Sequence, residues 1–264
     1  MGPEPASRRI PVRLLLTAVA LAPGLALALA GVIARQPEQA PRGGQVIGLY
    51  TSLPIVWRES ADISGLLAAD AGPHWARRAI ERRGMLVPLD RLAGQGGALP
   101  LPGDALLILA QPWPLSPGEN VALDRWVRSG GQVLLFADPM LTAQSAFALG
   151  DRRRPEDMAM LSPILTRWGL ELRFDERRRP GAGAVQLLGS ALPVNLPGYF
   201  ALRPGSGCEL LAGGLAARCR IGAGTVLAVA DAALFEDGAD GDGTDGDGKG
   251  RGAMLDTLIG DFSR

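Results

Sequence analysis

The stretch from Ala105 to Pro139 constrains the fold more than any other part of the chain. Residues 105–110 read ALLILA, an unbroken apolar run between Asp104 and Gln111-Pro112. A run of that length suits a strand covered on both faces, as in a parallel sheet. Ser116-Pro117-Gly118-Glu119 then predicts a helix start, with Ser116 as N-cap, Pro117 at the first helical position and Glu119 reaching back. Val121, Leu123, Trp126 and Val127 supply its buried stripe, and Gly130-Gly131 ends it. Residues 132–137, QVLLFA, form a second buried strand that stops at Asp138-Pro139. Strand, capped helix and strand make a βαβ unit, which a parallel sheet requires.

The rest of the body fits the same scheme. Strands are predicted over residues 46–50, 85–87, 170–174 and 222–230, and helices over 74–83, 155–168 and 253–262. In the second helix, Met158, Leu161, Leu165 and Trp168 share a face, and Ser162-Pro163 breaks or kinks it. Residues 184–221 carry Gly and Pro turns between short runs, which predicts a β-rich elaboration. The alternation as a whole argues for a three-layer α/β fold with a mostly parallel sheet. Residues 236–250 are nearly all Asp and Gly, a composition that favours a flexible acidic loop. A calcium loop through Asp245, Asp247 and Asp256 fails on Lys249 at its fifth position and on the missing bidentate Glu at its twelfth.

Residues 14–34 contain no charge over 21 positions, enough for a helix to cross the roughly 30 Å hydrocarbon core. Arg8, Arg9 and Arg13 precede them, which places the N-terminus in the cytoplasm and the body outside. Two readings of this segment stand: a retained anchor, or a signal peptide cut at Ala28-Leu29-Ala30. Both export the body. The expected organisation is a basic N-terminus (1–13), the apolar segment (14–34), a Pro/Gly-rich linker (35–44) and an α/β domain (45–264). The chain carries 27 basic and 27 acidic side chains, so a nucleic-acid partner bound through a basic surface is not expected.

The sequence from Ala105 to Pro139, the run GAGTVLAVADAALFED from Gly222 to Asp237, and VIGLYTSLP near the start of the body together resemble the "ABC-type uncharacterized transport system" domain. That domain occurs in gliding-motility auxiliary proteins of ABC transporters and in related glutamine-amidotransferase-like proteins. The resemblance implies a flavodoxin-like, class I amidotransferase-like sheet held outside the membrane by the N-terminal segment. It also implies an ABC permease and its ATPase as partners.

Amidotransferase chemistry needs a Cys on a sharp strand-to-helix turn with a His base in reach. Neither Cys208 nor Cys219 follows a buried strand in that way, and the one histidine, His74, opens a predicted helix as a capping or surface residue. A Ser-His-Asp hydrolase lacks its G-x-S-x-G. No catalytic residue, cofactor or metal site is therefore expected. Cys208 and Cys219 flank the turn Ala212-Gly213-Gly214; if the flanking segments pair as a hairpin, a cross-strand disulfide forms in an oxidising compartment. The alternative is two unpaired small apolar residues. Ser52, Gln111, Asp138 and Asp231 each follow a predicted strand, where parallel sheets bind ligands; equally, the two Asp side chains serve as caps of the following turns. The leading expectation is a non-enzymatic, membrane-tethered extracytoplasmic component of an ABC transport system. An exported hydrolase or sugar-binding enzyme using Asp138 and Asp231, and an envelope scaffold without a transporter, are the alternatives.

Overall fold

The computed structural model describes residues 44–57, 73–236 and 247–263. The apolar segment 14–34 and most of the acidic stretch 236–250 lie outside the described residues. No helix among the described residues is long and apolar enough to cross a membrane.

The body is mixed α/β, built on a seven-stranded, mostly parallel sheet. Along the chain the sheet receives β1 (Gln45–Thr51), β2 (Gly84–Pro88), β3 (Leu106–Ala110) and β4 (Gln132–Phe136). Three more strands join late: β9 (Cys208–Leu211), β10 (Ala216–Ile221) and β11 (Gly224–Val229). Their order across the sheet is β2-β1-β3-β4-β11-β10-β9. The first five run parallel, and β10 and β9 extend the edge as antiparallel strands.

Helices α1 (Trp75–Arg83), α2 (Pro117–Arg128), α3 (Ser162–Arg167) and α4 (Asp247–Gly260) cover both faces. Strand alternation explains how: in β3, Leu106, Ile108 and Ala110 point to one face and Leu107 and Leu109 to the other, and all are buried. The first face packs Ile47, Leu49, Ile108 and Phe136 against Ile80 of α1 and Leu255 and Leu258 of α4. The second packs Leu107, Leu109, Val133 and Leu135 against Leu123, Trp126 and Val127 of α2 and Leu165 of α3. An apolar run with two covered faces is what the unbroken ALLILA and QVLLF sequences require.

Helix α2 begins as its sequence dictates. The Ser116 Oγ accepts from the Glu119 N–H at 3.3 Å, and the Glu119 carboxylate accepts from the Ser116 N–H at 2.9 Å. The other Glu119 oxygen accepts from the Leu92 N–H at 2.9 Å, so the cap also pins the loop after β2. Its buried face differs from the expected one. Val121 is 56 % exposed, and Ala122 and Asp124 take the inward positions beside Leu123, Trp126 and Val127. Asp124 sits inside because Arg128 (2.9 Å) and Arg167 of α3 (2.5 Å) both hold its carboxylate, tying the two helices together. Burial pushes this acid up, but the two guanidinium groups outweigh it and leave it below the ordinary value.

Two further expectations are corrected. The helix over 155–168 shrinks to α3, and Pro163 opens it instead of breaking it. Met158 is consequently exposed and does not share a buried face with Leu161, Leu165 and Trp168. The last helix starts at Asp247, earlier than the predicted 253, so residues 247–250 belong to a helix and not to the acidic loop. That removes Asp247 and Gly250 from any calcium loop, and Asp256 is bonded by Arg83 at 2.7 Å. The expected β-rich elaboration consists of β5 (Leu170–Arg173) with β8 (Tyr199–Leu202), the hairpin of β6 (Ala182–Leu187) and β7 (Ser190–Asn195), and the added sheet edge.

Candidate functional site

The four residues expected to line a cleft do meet, at the carboxyl end of the parallel strands. In the first parallel pair, β1 has β2 on one side and β3 on the other, so the chain reverses its direction across the sheet between β1 and β3. Such a reversal opens a crevice where ligands bind in parallel sheets. Here Ser52 follows β1, Gln111 follows β3, Asp138 follows β4 and Asp231 follows β11.

The crevice is filled by the chain itself. The Ser52 Oγ donates to the Gln111 carbonyl at 2.6 Å and accepts from the Glu156 N–H at 3.0 Å. The Gln111 side-chain amide donates to the carbonyls of Glu156 (2.8 Å) and Asp138 (3.1 Å). Its oxygen accepts from the Asp138 N–H at 2.9 Å. Thr51 closes the same corner by donating to the Ala110 carbonyl at 2.6 Å and accepting from the Leu53 N–H at 2.9 Å. The backbone at Gln111 has φ +42°, an uncommon conformation for a residue with a side chain. Its cost is offset by three side-chain bonds, which fix the segment from Asp138 to Glu156 across the strand ends.

The two acids complete the belt. Asp138 accepts from the Met140 N–H at 2.8 Å and from the Ala232 N–H at 3.2 Å. Asp231 accepts from the Ala233 N–H at 2.6 Å and from the Asn195 N–H at 2.9 Å. Both therefore cap the turns after their strands, and each also ties down a second segment. Exposure is 1 % at Ser52, 0 % at Gln111, 0 % at Asp138 and 2 % at Asp231, so all four face inward and none lines an open cleft. Burial pushes Asp138 up to about 6, with the charge of Glu236 adding to it against the two backbone donors. Burial and then the neighbouring Asp138 charge push Asp231 up to about 8. Glu236, which raises both, is itself bonded by the Thr142 hydroxyl at 2.6 Å, and Arg251 donates to its carbonyl oxygen. Among the described residues neither buried carboxylate is paired with a cation.

His74 is the N-cap of α1, its Nδ1 accepting from the Ala76 N–H at 3.1 Å. Cys208 and Cys219 are register partners across β9 and β10, joined as a disulfide. The hairpin between them turns through Ala212, Gly213 and Gly214, all with positive φ. We expect exchange of both cysteines for serine to lower stability by about 3 kcal/mol, since the bridge closes a short loop in the unfolded chain. A urea midpoint unchanged by the double substitution would mean that the bridge is not formed in the mature protein.

Thr51, Glu156 and Glu236 belong to this region without having been singled out in the sequence. Thr51 carries a local sign, a hydroxyl at the end of a buried strand. The other two act from irregular segments whose approach to the strand ends no local pattern announces.

No family model matches the chain, and no curated protein sequence does. Among solved structures, the exo-β-1,4-mannosidase Op5Man5 from Opitutaceae bacterium strain TAV5 aligns over 89 % of this chain and 36 % of its own, at 14 % identity and TM-score 0.45. The β-galactosidase from Rahnella sp. R3 aligns over 83 % of this chain and 31 % of its own, at 13 % identity and TM-score 0.43. A ThuA-like protein from Bacteroides uniformis aligns over 83 % of this chain and 91 % of its own, at 11 % identity and TM-score 0.41. The chain spans about a third of the length of the two glycosidases. Likeness at this level assigns neither an activity nor a substrate.

Proposed function

We propose that this chain is a non-enzymatic, membrane-tethered extracytoplasmic component of an ABC transport system, whose α/β body recognises a partner protein or an envelope ligand. The observation that carries this reading is the plugged crevice. The place where a parallel sheet ordinarily works on a small ligand is occupied by the chain's own Glu156 backbone, Gln111 amide and Ser52 hydroxyl. The order β2-β1-β3-β4-β11 reads 2-1-3-4-5 in the parallel part of the sheet, which supports the flavodoxin-like, amidotransferase-like assignment. Both cysteines lie in a disulfide, so neither is a free thiol nucleophile, and the bridge fits an exported body. Residues 14–34 act as the anchor, or as a signal peptide that releases the body outside the membrane. A hydrolase working through Asp138 and Asp231 would need those carboxyls to reach solvent, and they are buried.

Cross-linking of the tagged full-length chain in its native membrane, followed by identification of what co-purifies, tests the proposal. The expected result is recovery of an ABC permease and its ATPase. Enrichment of other envelope proteins without them would replace this reading with that of a scaffold.

A further inference from the structure

Three of the five methionines among the described residues are exposed on two segments that run side by side next to the plugged crevice. Met140 is 40 % exposed, and Met158 and Met160 are each 53 % exposed. Two backbone bonds tie their segments side by side: the Ala159 N–H donates to the Asp138 carbonyl at 2.8 Å and the Leu141 N–H to the Asp157 carbonyl at 2.9 Å. Met140 lies between the two bonded positions on one segment and Met158 between the two on the other, so they are neighbours across the pair. Met160 follows one residue past Ala159. The Met140 N–H is held by Asp138, and the buried Asp138 carboxyl anchors the whole arrangement to the end of β4.

We propose that Met140, Met158 and Met160 form a binding site for a soft monovalent metal ion, Cu(I) in chemical class, held by three thioether sulfurs. Thioethers are soft, uncharged ligands that need no deprotonation, and they select Cu(I) over the harder divalent ions, which prefer imidazole and carboxylate. The acid beside Met158, Asp157, has one carboxylate oxygen bonded to Arg154 at 2.9 Å, so its charge is already partnered within the chain. Three large unbranched apolar side chains, each about half exposed on two adjacent segments, are not accounted for by core packing, the ordinary use of methionine. Each side chain has three rotatable bonds, so rotamer changes alone, with the two segments held side by side, are what would bring the sulfurs together around an ion.

Methyl NMR on the full chain, labelled at the methionine methyl carbons and held in detergent, tests this with Ag(I) as probe. Ag(I) shares the charge and ligand preference of Cu(I) and undergoes no redox step that would disturb the disulfide. The expected result is a joint shift of the Met140, Met158 and Met160 signals that saturates at one equivalent. Met85, equally exposed at 53 % but on edge strand β2, and buried Met254 serve as internal references and stay in place. Met140→Leu, Met158→Leu and Met160→Leu together preserve the apolar surface and abolish the uptake. Cu(I) kept reduced with ascorbate and measured by competition with a chromogenic chelator gives the same loss. The proposal is overturned if Met85 shifts in parallel, if no methyl moves, or if the triple variant takes up the ion as the parent does.

Discussion

Gly224→Ala is expected to destabilise the protein by about 4 kcal/mol, near the upper end of single-residue effects, and to lower Tm by about 10 °C for a domain of this size. Gly224 is the first residue of β11, and its φ is not in the left-handed region, so alanine meets no backbone penalty of its own. The cost is steric. A Cβ there lands on the carbonyl oxygens of Val127 and Gly131, at the C-terminal end of α2 and the turn into β4. These oxygens are engaged: Val127 accepts from the Gly130 N–H at 2.9 Å and Gly131 from the Thr225 N–H at 3.3 Å. Backbone cannot rotate away as a side chain does, so the helix end must lift from the sheet and open the contact of Trp126 and Val127 with the second core face. Gly118→Ala is the control. It lies in the first turn of the same helix with open space around it, and is expected to be neutral or to stabilise slightly. Thermal unfolding of the two variants side by side decides the matter: equal midpoints would show that α2 does not seat on β11 as described.

The unit from β3 to β4 was legible because its cues are local and agree with one another: two apolar runs, a Ser-Pro-Gly-Glu start and a Gly-Gly stop. The disulfide register was legible for the same reason, since a Gly-rich turn with equal arms sets Cys208 opposite Cys219. The failures have other causes. Val121 enters the predicted stripe of α2 as one more apolar residue, but it stands two positions from Leu123 and so on the side of the helix opposite Trp126 and Val127, and it is exposed; Asp124 takes a buried flanking position that Arg128 of α2 and Arg167 of α3 neutralise. Residues 155–161 show helical spacing of apolar groups, yet Glu156 is drawn to Ser52, 104 positions away, and Ala159 to the Asp138 carbonyl. Those tertiary bonds take the backbone groups a helix would need. The strand-end residues were placed at the right end of the sheet, but a list of polar residues after strands cannot distinguish a cleft from a plug. The difference lies in which distant backbone arrives to meet them.

Stability is expected to fall as pH rises from about 4 to about 8, by an amount on the order of 5 kcal/mol. Asp138 and Asp231 account for it. In the unfolded chain both titrate near the ordinary value of 3.8; in the fold they are held at about 6 and about 8 by burial, by Glu236 and, for Asp231, by the charge of Asp138. A carboxyl whose folded pKa is raised binds its proton more tightly in the native than in the unfolded chain. Its contribution is fully present below the unfolded value and is lost as pH climbs through the folded one. Carboxyls held low, such as Asp124 and Glu119, act in the opposite sense, but their effect is spent by about pH 5, where the measured range begins. Urea midpoints should therefore decline from pH 5 to pH 8. Asp138→Asn deletes one of the two charges, so the slope above pH 6 should become shallower even though its amide opposes one of the N–H donors of Met140 and Ala232 and lowers stability at pH 5. A parent midpoint that stays level or rises over this range would mean that both acids are ionised in the fold, and hence that water or a cation reaches the strand ends. The buried belt would then be open, and the plugged crevice that supports a binding role without catalysis would be lost with it.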